Sequence, residues 1–307
     1  MNPTLDHMIS SILDAPMKRE SFFHALLIAM DKIKVNPRGN EELKRKIEEC
    51  STFENILLNY SLELPNLCHY ISRLPYQDSA RAERVVRTLS KVSFNFKTVK
   101  INDSIFPDLL RRVEGAPPVL YLRGDESLLK TRGFAVVGTR NLKDADYFYQ
   151  KEGVNAVEDL MKGGFTIVSG LAIGCDTLAH RTAMNEKGRI IAVLGTPLNR
   201  YYPGENRELQ DRIAKEHLLI SQYPVGIETQ PFHFANRNMT IVGISSEGVL
   251  VITAGDKSGT LHAVKACISQ GKDLYILPRN WGEDYEWIKN YKSYIKSFDE
   301  YYKKNAG

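Results

Sequence analysis

The fold class of this chain is indicated by the stretch FTIVSGLAIGCD, which occupies residues 165–176. It begins with the apolar run Phe165-Thr166-Ile167-Val168, which is typical of a buried strand. The small residues Ser169-Gly170 and Gly174 follow, and they favour a tight turn that exposes backbone N–H groups. We predict that Asp176 is the N-cap of a helix that contains Ala179-His180. A strand, a glycine turn and a helix N-terminus in this order favour binding of an anion such as phosphate.

Short β-branched runs alternate with amphipathic helical stretches from residue 133 to residue 278. Continuous apolar strands separated by helices indicate a parallel sheet that is buried on both faces. We therefore predict an α/β fold with an extended, doubly wound, Rossmann-like and mainly parallel sheet. The predicted strands are Phe134–Val137, Thr166–Val168, Ile190–Leu194, Leu218–Ile220, Val249–Ile252 and Asp273–Leu277, and the predicted helices lie near 144–162, 176–187, 205–216, 235–244 and 258–270.

The first part of the chain has a helical pattern instead of an alternating one. We expect a small helical domain over residues 1–97, a Rossmann-like domain over residues 98–280 and a Tyr-rich helical tail over residues 281–307. Aromatic and methionine side chains in the helical domain favour core packing, and we expect no chemistry there. Apolar residues recur at helical spacing in Ser21–Ile33, Glu41–Leu58 and Ala80–Val92.

Composition narrows the class of protein. The 307 residues include 41 Lys and Arg against 37 Asp and Glu, and the formal charge of +4 permits nucleic-acid binding without requiring it. The 4 Cys residues form no CxxC pair, so we expect free thiols in a reducing compartment and no metal site. No apolar run has the length of a membrane span, and the N-terminus lacks the pattern of a secretory signal. We therefore expect a cytoplasmic protein with no membrane association.

Each predicted strand ends in small or polar residues, and in a parallel sheet these ends meet at one edge, where ligands bind. We predict that phosphate or nucleic acid binds to three of these turns and to a polar segment near residue 237. The candidate residues are Gly138, Thr139, Arg140, Ser169, Gly170, Gly174, Asp176, Asn236, Arg237, Asn238, Lys257, Ser258, Gly259 and Thr260.

Each of these motifs also has a structural interpretation. Arg140 can hold a phosphate through paired N–H bonds, or it can pair with Asp144 at the surface. The segment 236–238 suits a phosphate–sugar backbone, or its Asn side chains form Asx turns in a loop. Ser258 or Thr260 can cap the next helix, with or without N–H groups left for phosphate. The sequence leaves these alternatives open.

Motifs of several enzyme classes are missing. No GxGxxG, GxxxxGK[ST] or GxSxG is found, so a dinucleotide fingerprint, an NTP-hydrolysing P-loop and a hydrolase triad are unsupported. His180 follows Asp176 by one helical turn without a third ligand, so a side-chain hydrogen bond is favoured over a metal site. We expect no cofactor. The rings of Tyr201-Tyr202 beside Arg200 and Arg207 suit stacked bases and phosphates, or loop packing.

In their order along residues 97–280, the motifs resemble the DNA-processing protein A family (DprA, also called Smf). The resemblance implies a Rossmann domain that binds single-stranded DNA and has no established catalytic activity. It also implies a homodimer that hands the strand to the RecA recombinase during DNA uptake and natural transformation. By the same resemblance, Arg140, the Gly170/Gly174 turn and Arg237 match a DNA-contacting edge. The matching segments include Ala116–Gly124, Val137–Arg140, Ser169–Asp176, Asn236–Asn238 and Ser258–Thr260.

The chain departs from the family pattern at four positions that we expect at the crevice. Gln222 stands for an acidic residue, Met239 for an arginine, Thr253 for a glutamate and Arg279 for a glycine.

A second interpretation comes from relatives of this sheet, the nucleoside-monophosphate phosphoribohydrolases ("lonely guy" group) and nucleotide-sensing domains. Here His262 occupies the place of the hydrolase glutamate, which disfavours hydrolysis and leaves a nucleotide sensor as the alternative. A scaffold without a ligand is a third interpretation.

Overall fold

A computed structural model describes residues 4–60, 67–142 and 147–305. One 9-stranded sheet runs through this part of the chain in the order β1-β2-β6-β5-β4-β3-β7-β8-β9. The pairs β1/β2 and β2/β6 are antiparallel, and all the other pairs are parallel. The strands are β1 (Lys97–Lys100), β2 (Val119–Gly124), β3 (Gly133–Val137), β4 (Thr166–Ser169), β5 (Arg189–Leu194), β6 (Leu218–Ser221), β7 (Gly248–Val251), β8 (Leu274–Ile276) and β9 (Ile295–Ser297).

Helices precede the sheet in the sequence and then connect its strands. The N-terminal helices are α1 (Leu5–Leu13), α2 (Pro16–Ala29), α3 (Pro37–Cys50), α4 (Phe53–Leu58), α5 (Leu67–Arg73) and α6 (Tyr76–Ser90). The later helices are α7 (Asp108–Arg111), α8 (Tyr147–Lys162), α9 (Cys175–Asn185), α10 (Arg207–Glu216), α11 (Pro231–Ile244), α12 (Leu261–Ser269), α13 (Glu286–Asn290) and α14 (Phe298–Asn305).

The predicted α/β class with a mainly parallel sheet is confirmed. Strands β3, β4, β6 and β7 are buried along their whole length, as expected for strands covered by helices on both faces. The chain runs from β3 through β4 and β5 to β6, and then returns to β7 on the other side of β3. This reversal of strand order is a topological switch point, where a crevice opens at the carboxyl ends of β3 and β7.

Two segments differ from the sequence expectation. The pattern over Glu41–Leu58 forms two helices, because Ser51 has φ 64° and Thr52 caps α4 by accepting the Asn55 N–H at 3.1 Å. The tail, expected to be helical, also supplies β9, which extends the sheet beside β8 because Ile295 is buried there.

The N-terminal helices share their core with the sheet. The buried apolar side chains form one cluster that extends from Met8 to Phe298. Across this junction, the His24 Nδ1 lies 2.6 Å from the hydroxyl of Tyr121 on β2. The three-part division of the chain stays a prediction. Among the described residues, no helix has both the length and the apolar character that crossing a membrane requires.

Candidate nucleic-acid interface

A cavity of about 340 Å³ opens at the carboxyl edge of the sheet, beside the switch point. Its walls come from the turn after β3, the start of α9, the first turns of α11 and the turn before α12. The predicted residues that line it are Gly138, Thr139, Arg140, Asp176, Arg237, Asn238, Ser258, Gly259 and Thr260.

The turn after β3 is held between β7 and α9. The Thr139 N–H donates to the Thr253 carbonyl at 2.8 Å, and the Thr139 carbonyl accepts the Cys175 N–H at 3.1 Å. A Cβ at Gly138 would overlap the Cys175 side chain, so close packing against α9 requires glycine there. Arg140 is exposed, and its Cζ lies 5.5 Å from the centroid of the Phe234 ring.

The turn after β4 differs from the prediction in its cap. Gly174, with φ 78°, is the N-cap of α9, and a Cβ there would overlap the Thr139 carbonyl. Asp176 therefore lies inside the helix, and its prediction as N-cap is wrong. Its Oδ2 instead reaches back and accepts the Ala172 N–H at 3.3 Å, which fixes the turn. His180 is fully buried beside this turn, and the hydrogen bond expected from its ring stays a prediction.

Arg237 lies in a helix and is directed into the molecule. The segment 236–238 belongs to α11, which begins at Pro231. The alternative in which its Asn side chains form Asx turns in a loop is therefore wrong. Helix α11 begins before the predicted helix near 235–244, because the His233 Nδ1 accepts the Gln230 N–H at 3.3 Å and caps the first turn. Arg237 is 4% exposed, and its Nη1 donates to the Val193 carbonyl at 2.5 Å and to the Gly170 carbonyl. The guanidinium thus joins the ends of β4 and β5.

Two of the lining residues, Asp176 and Arg237, carry buried charged groups. Burial raises the pKa of the Asp176 carboxyl, and the Arg237 charge and the Ala172 N–H oppose this shift. Burial likewise lowers the pKa of Arg237, and the Asp176 charge opposes that shift. Arg140 is the exposed cation among the described residues of the lining, since Arg237 is buried.

The turn before α12 supplies hydroxyl groups. Ser258 Oγ accepts the Thr260 N–H at 3.2 Å and lies 2.9 Å from Thr260 Oγ1. Thr260 occupies the N-cap position without a side-chain cap. The N–H groups of Leu261 and His262 donate to carbonyls within the turn, which favours the alternative in which these groups are not left for phosphate. The two hydroxyls are the polar groups that the turn offers to the cavity.

A sequence model of one family, DNA recombination-mediator protein A, matches residues 97–296 of the chain. The chain belongs to this family. The DNA processing protein DprA of Bacillus subtilis is 36% identical over 190 residues, and that of Streptococcus pneumoniae is 38% identical over 193 residues. These matches cover 61% and 62% of this chain and 62% and 66% of the relatives. The chain therefore spans less than two thirds of the length of these curated relatives.

Two solved structures of the family are similar to this one. The X-ray structure of DprA from Streptococcus pneumoniae has a TM-score of 0.61 at 25% identity, with 97% of this chain and 95% of that chain covered. A structure of DprA from Helicobacter pylori, described for its single-stranded DNA binding mode, has a TM-score of 0.58 at 25% identity. It covers 69% of this chain and 96% of the other.

Some predicted residues do not line the cavity. Ser169 is buried and its hydroxyl donates to the Val136 carbonyl at 2.6 Å, while Gly170 packs against the Arg237 guanidinium. Gly174, Asn236 and Lys257 also lie outside the lining. Which of the candidate residues contact DNA stays a prediction, as does the surface pairing of Arg140 with Asp144, which lies outside the described residues.

The sequence analysis missed several residues of the lining. Phe234, Asn141 and Pro231 are among them. The start of α11 at Pro231 was the available signal, because a proline at the first position of a helix would have placed Phe234 in its first turn. The four cysteines are free thiols, and no group of three metal-ligating side chains occurs in the described part of the chain.

The four departures from the family pattern do not line the cavity either, in contrast to our expectation. Gln222 Oε1 accepts the Thr240 hydroxyl at 2.7 Å beneath α11. The Arg279 Nε donates to Glu152 of α8 at 3.1 Å. Thr253 acts through its carbonyl, and Met239 packs against the core. The side chains of Gln222 and Arg279 thus bind the covering helices α11 and α8.

Proposed function

We propose that this chain binds single-stranded DNA at the crevice, without strong sequence preference. The observation that carries the proposal is the pairing of an exposed cation, Arg140, with the Phe234 ring at the mouth of the cavity. A cation for phosphate beside a ring for base stacking is the combination that single-strand binding requires. The hydroxyls of Ser258 and Thr260 and the amide of Asn238 add neutral partners for the sugar–phosphate backbone.

We further propose that the protein acts by binding and not by catalysis, as a homodimer in the cytoplasm. Its role would be to receive internalised DNA in natural transformation and to hand it to RecA. Membership of the DNA recombination-mediator family supports this role, and the relative from Helicobacter pylori is described as binding single-stranded DNA.

The test is a fluorescence anisotropy titration with labelled oligo-dT, duplex DNA and mononucleotides, repeated over a range of salt. We expect tighter binding to oligo-dT than to duplex DNA. The logarithm of the association constant should fall linearly with the logarithm of the salt concentration, with a slope of about 0.7 per contacted phosphate. Arg140→Gln should weaken oligo-dT binding about tenfold, because it removes a charge-assisted phosphate contact.

Arg132→Gln is the matched control. Arg132 directly precedes β3 while Arg140 follows it, and Arg132 also lies over a ring, with its Cζ 4.4 Å from the Phe165 centroid. The control carries the same change of net charge at the opposite edge of the sheet. Equal losses from the two variants, or no binding of oligo-dT at low salt, would refute the proposal. A preference for a mononucleotide such as AMP would favour the nucleotide sensor.

A further inference from the structure

A row of cation–ring contacts leaves the cavity along α10. The Phe234 ring at the cavity lies 4.7 Å from the ring of Tyr202, which is 48% exposed. The preceding residue, Tyr201, also carries a ring, and the Arg207 Cζ lies 4.8 Å from its centroid. Rings and a cation thus continue outward from the mouth of the cavity, onto the first turn of α10.

The row extends to the antiparallel side of the sheet. The Arg123 Cζ, on β2, lies 4.1 Å from the centroid of the Phe94 ring. On β2, Arg123 is in register with Leu219 of β6, the strand that directly follows α10. The hydrogen bond to Asp211 raises the pKa of Tyr201, and the charges of Arg123 and Arg207 oppose this shift. We call Tyr202, Tyr201, Arg207, Arg123 and Phe94 the arginine–aromatic stripe.

The two arginines of the stripe keep their charge available. Arg207 is exposed and Arg123 is half-buried, and neither forms an ion pair with a carboxylate of the described residues. The Asp211 carboxylate, on the same helix, instead accepts the Tyr201 hydroxyl at 2.7 Å. Elsewhere on the surface, arginines such as Arg84 and Arg279 are paired with glutamates. The stripe is therefore a surface of unpaired positive charge between rings.

We propose that the arginine–aromatic stripe is a second segment of the single-stranded DNA path, which takes the nucleotides that leave the cavity along α10. This inference rests on the proposed function. Charge complementarity selects a polyanion, and the interleaved rings select one with unstacked bases, because bases in a duplex cannot reach them. Continuity with the cavity through Tyr202 and Phe234 gives the strand its direction. The stripe lengthens the site beyond a single nucleotide.

The test compares two lengths of labelled oligo-dT, of about 4 and about 16 nucleotides, which bracket the usual site sizes for single strands. The double variant Arg123→Gln/Arg207→Gln is measured beside the native chain. We expect the native chain to bind the long oligomer more tightly than the short one. In the double variant, the ratio of the long-oligomer affinity to the short-oligomer affinity should be about tenfold smaller. For the long oligomer, the salt slope should fall by about 1.4, the value for two lost phosphate contacts on a single strand.

The control is Arg132→Gln/Arg212→Gln, which removes the same number of positive charges from residues outside the stripe. Arg212 lies on α10, as Arg207 does, so the control also tests a charge change on that helix. A ratio that is unchanged in the double variant, or that falls equally in the control, overturns the inference. If native protein binds both lengths and responds to Arg140→Gln while the ratio is insensitive to the stripe, the proposed function stands and only the second segment is lost. If native protein binds neither length, both fail. Circular dichroism and thermal melting establish that all variants are folded.

Discussion

Replacing Arg237 by methionine should destabilise the fold, because two buried carbonyl groups lose a hydrogen-bond donor and the buried Asp176 carboxylate loses a nearby positive charge. The guanidinium donates to the carbonyls of Gly170 and Val193, and it offsets the buried charge of Asp176. An unsatisfied buried acceptor costs about 1 kcal/mol at least, and removing one member of a buried charge pair costs about 3–5 kcal/mol in total. We expect Arg237→Met to lower the free energy of unfolding by about 4 kcal/mol at neutral pH.

The loss should depend on pH in a definite direction. The pKa of Asp176 is already raised by burial, and removing the Arg237 charge raises it further. A carboxyl whose folded-state pKa lies above its unfolded value destabilises the fold above that pKa, and this cost disappears as the pH falls through it. The difference in unfolding free energy between native chain and variant should therefore shrink as the pH is lowered from neutral towards about 4.

Urea denaturation followed by circular dichroism measures these differences, and a double-mutant cycle with Asp176→Asn isolates the charge coupling. We expect a coupling energy of about 2 kcal/mol, because the double variant retains the cost of the unpaired carbonyls but not that of the unpaired carboxylate. Additive effects within about 0.5 kcal/mol, or a loss that does not change with pH, would show that the two charges do not compensate each other.

Three further predictions concern the site and the core. Phe234→Leu should weaken oligo-dT binding about fivefold or more with no change in salt slope, as measured by anisotropy, because it removes a ring and no charge. Gly174→Ala should lower the free energy of unfolding by about 1–3 kcal/mol in urea, because φ is 78° there and the added Cβ meets the Thr139 carbonyl. Burial lowers the pKa of His180 to about 3, so its neutral form stabilises the fold above its unfolded pKa of about 6.5 and this contribution is lost as the pH falls. His180→Leu should accordingly reduce the loss of stability between pH 7 and pH 4 by about 3 kcal/mol, measured by urea titration at both pH values.

The pattern of the sequence was sufficient for most of the sheet. Buried parallel strands are continuous apolar runs, and each predicted run from Phe134–Val137 onward appears as a strand with similar bounds. Strand β9 could not be predicted from the sequence. Ile295–Ser297 is short, and its pairing partner is β8, from which α13 separates it along the chain. The pattern over Glu41–Leu58 is divided into two helices by a single positive φ at Ser51, and a serine in the sequence does not predict a positive φ.

The sequence by itself determined which turns meet at the crevice, because parallel strands bring their carboxyl ends to one edge whatever the side chains do. It also indicated Arg140, which is the exposed cation among the described residues of the cavity lining. Only the tertiary structure decided whether the other charged side chains of the site point into the protein or towards solvent. Arg237 and Asp176 are residue types of a phosphate site, yet both are buried and their polar atoms bond to the backbone of the turns, because a buried charged group requires hydrogen-bond partners. The glycines at 138, 170 and 174 likewise allow the turns to pack on one another, a requirement set by neighbours that are distant in sequence.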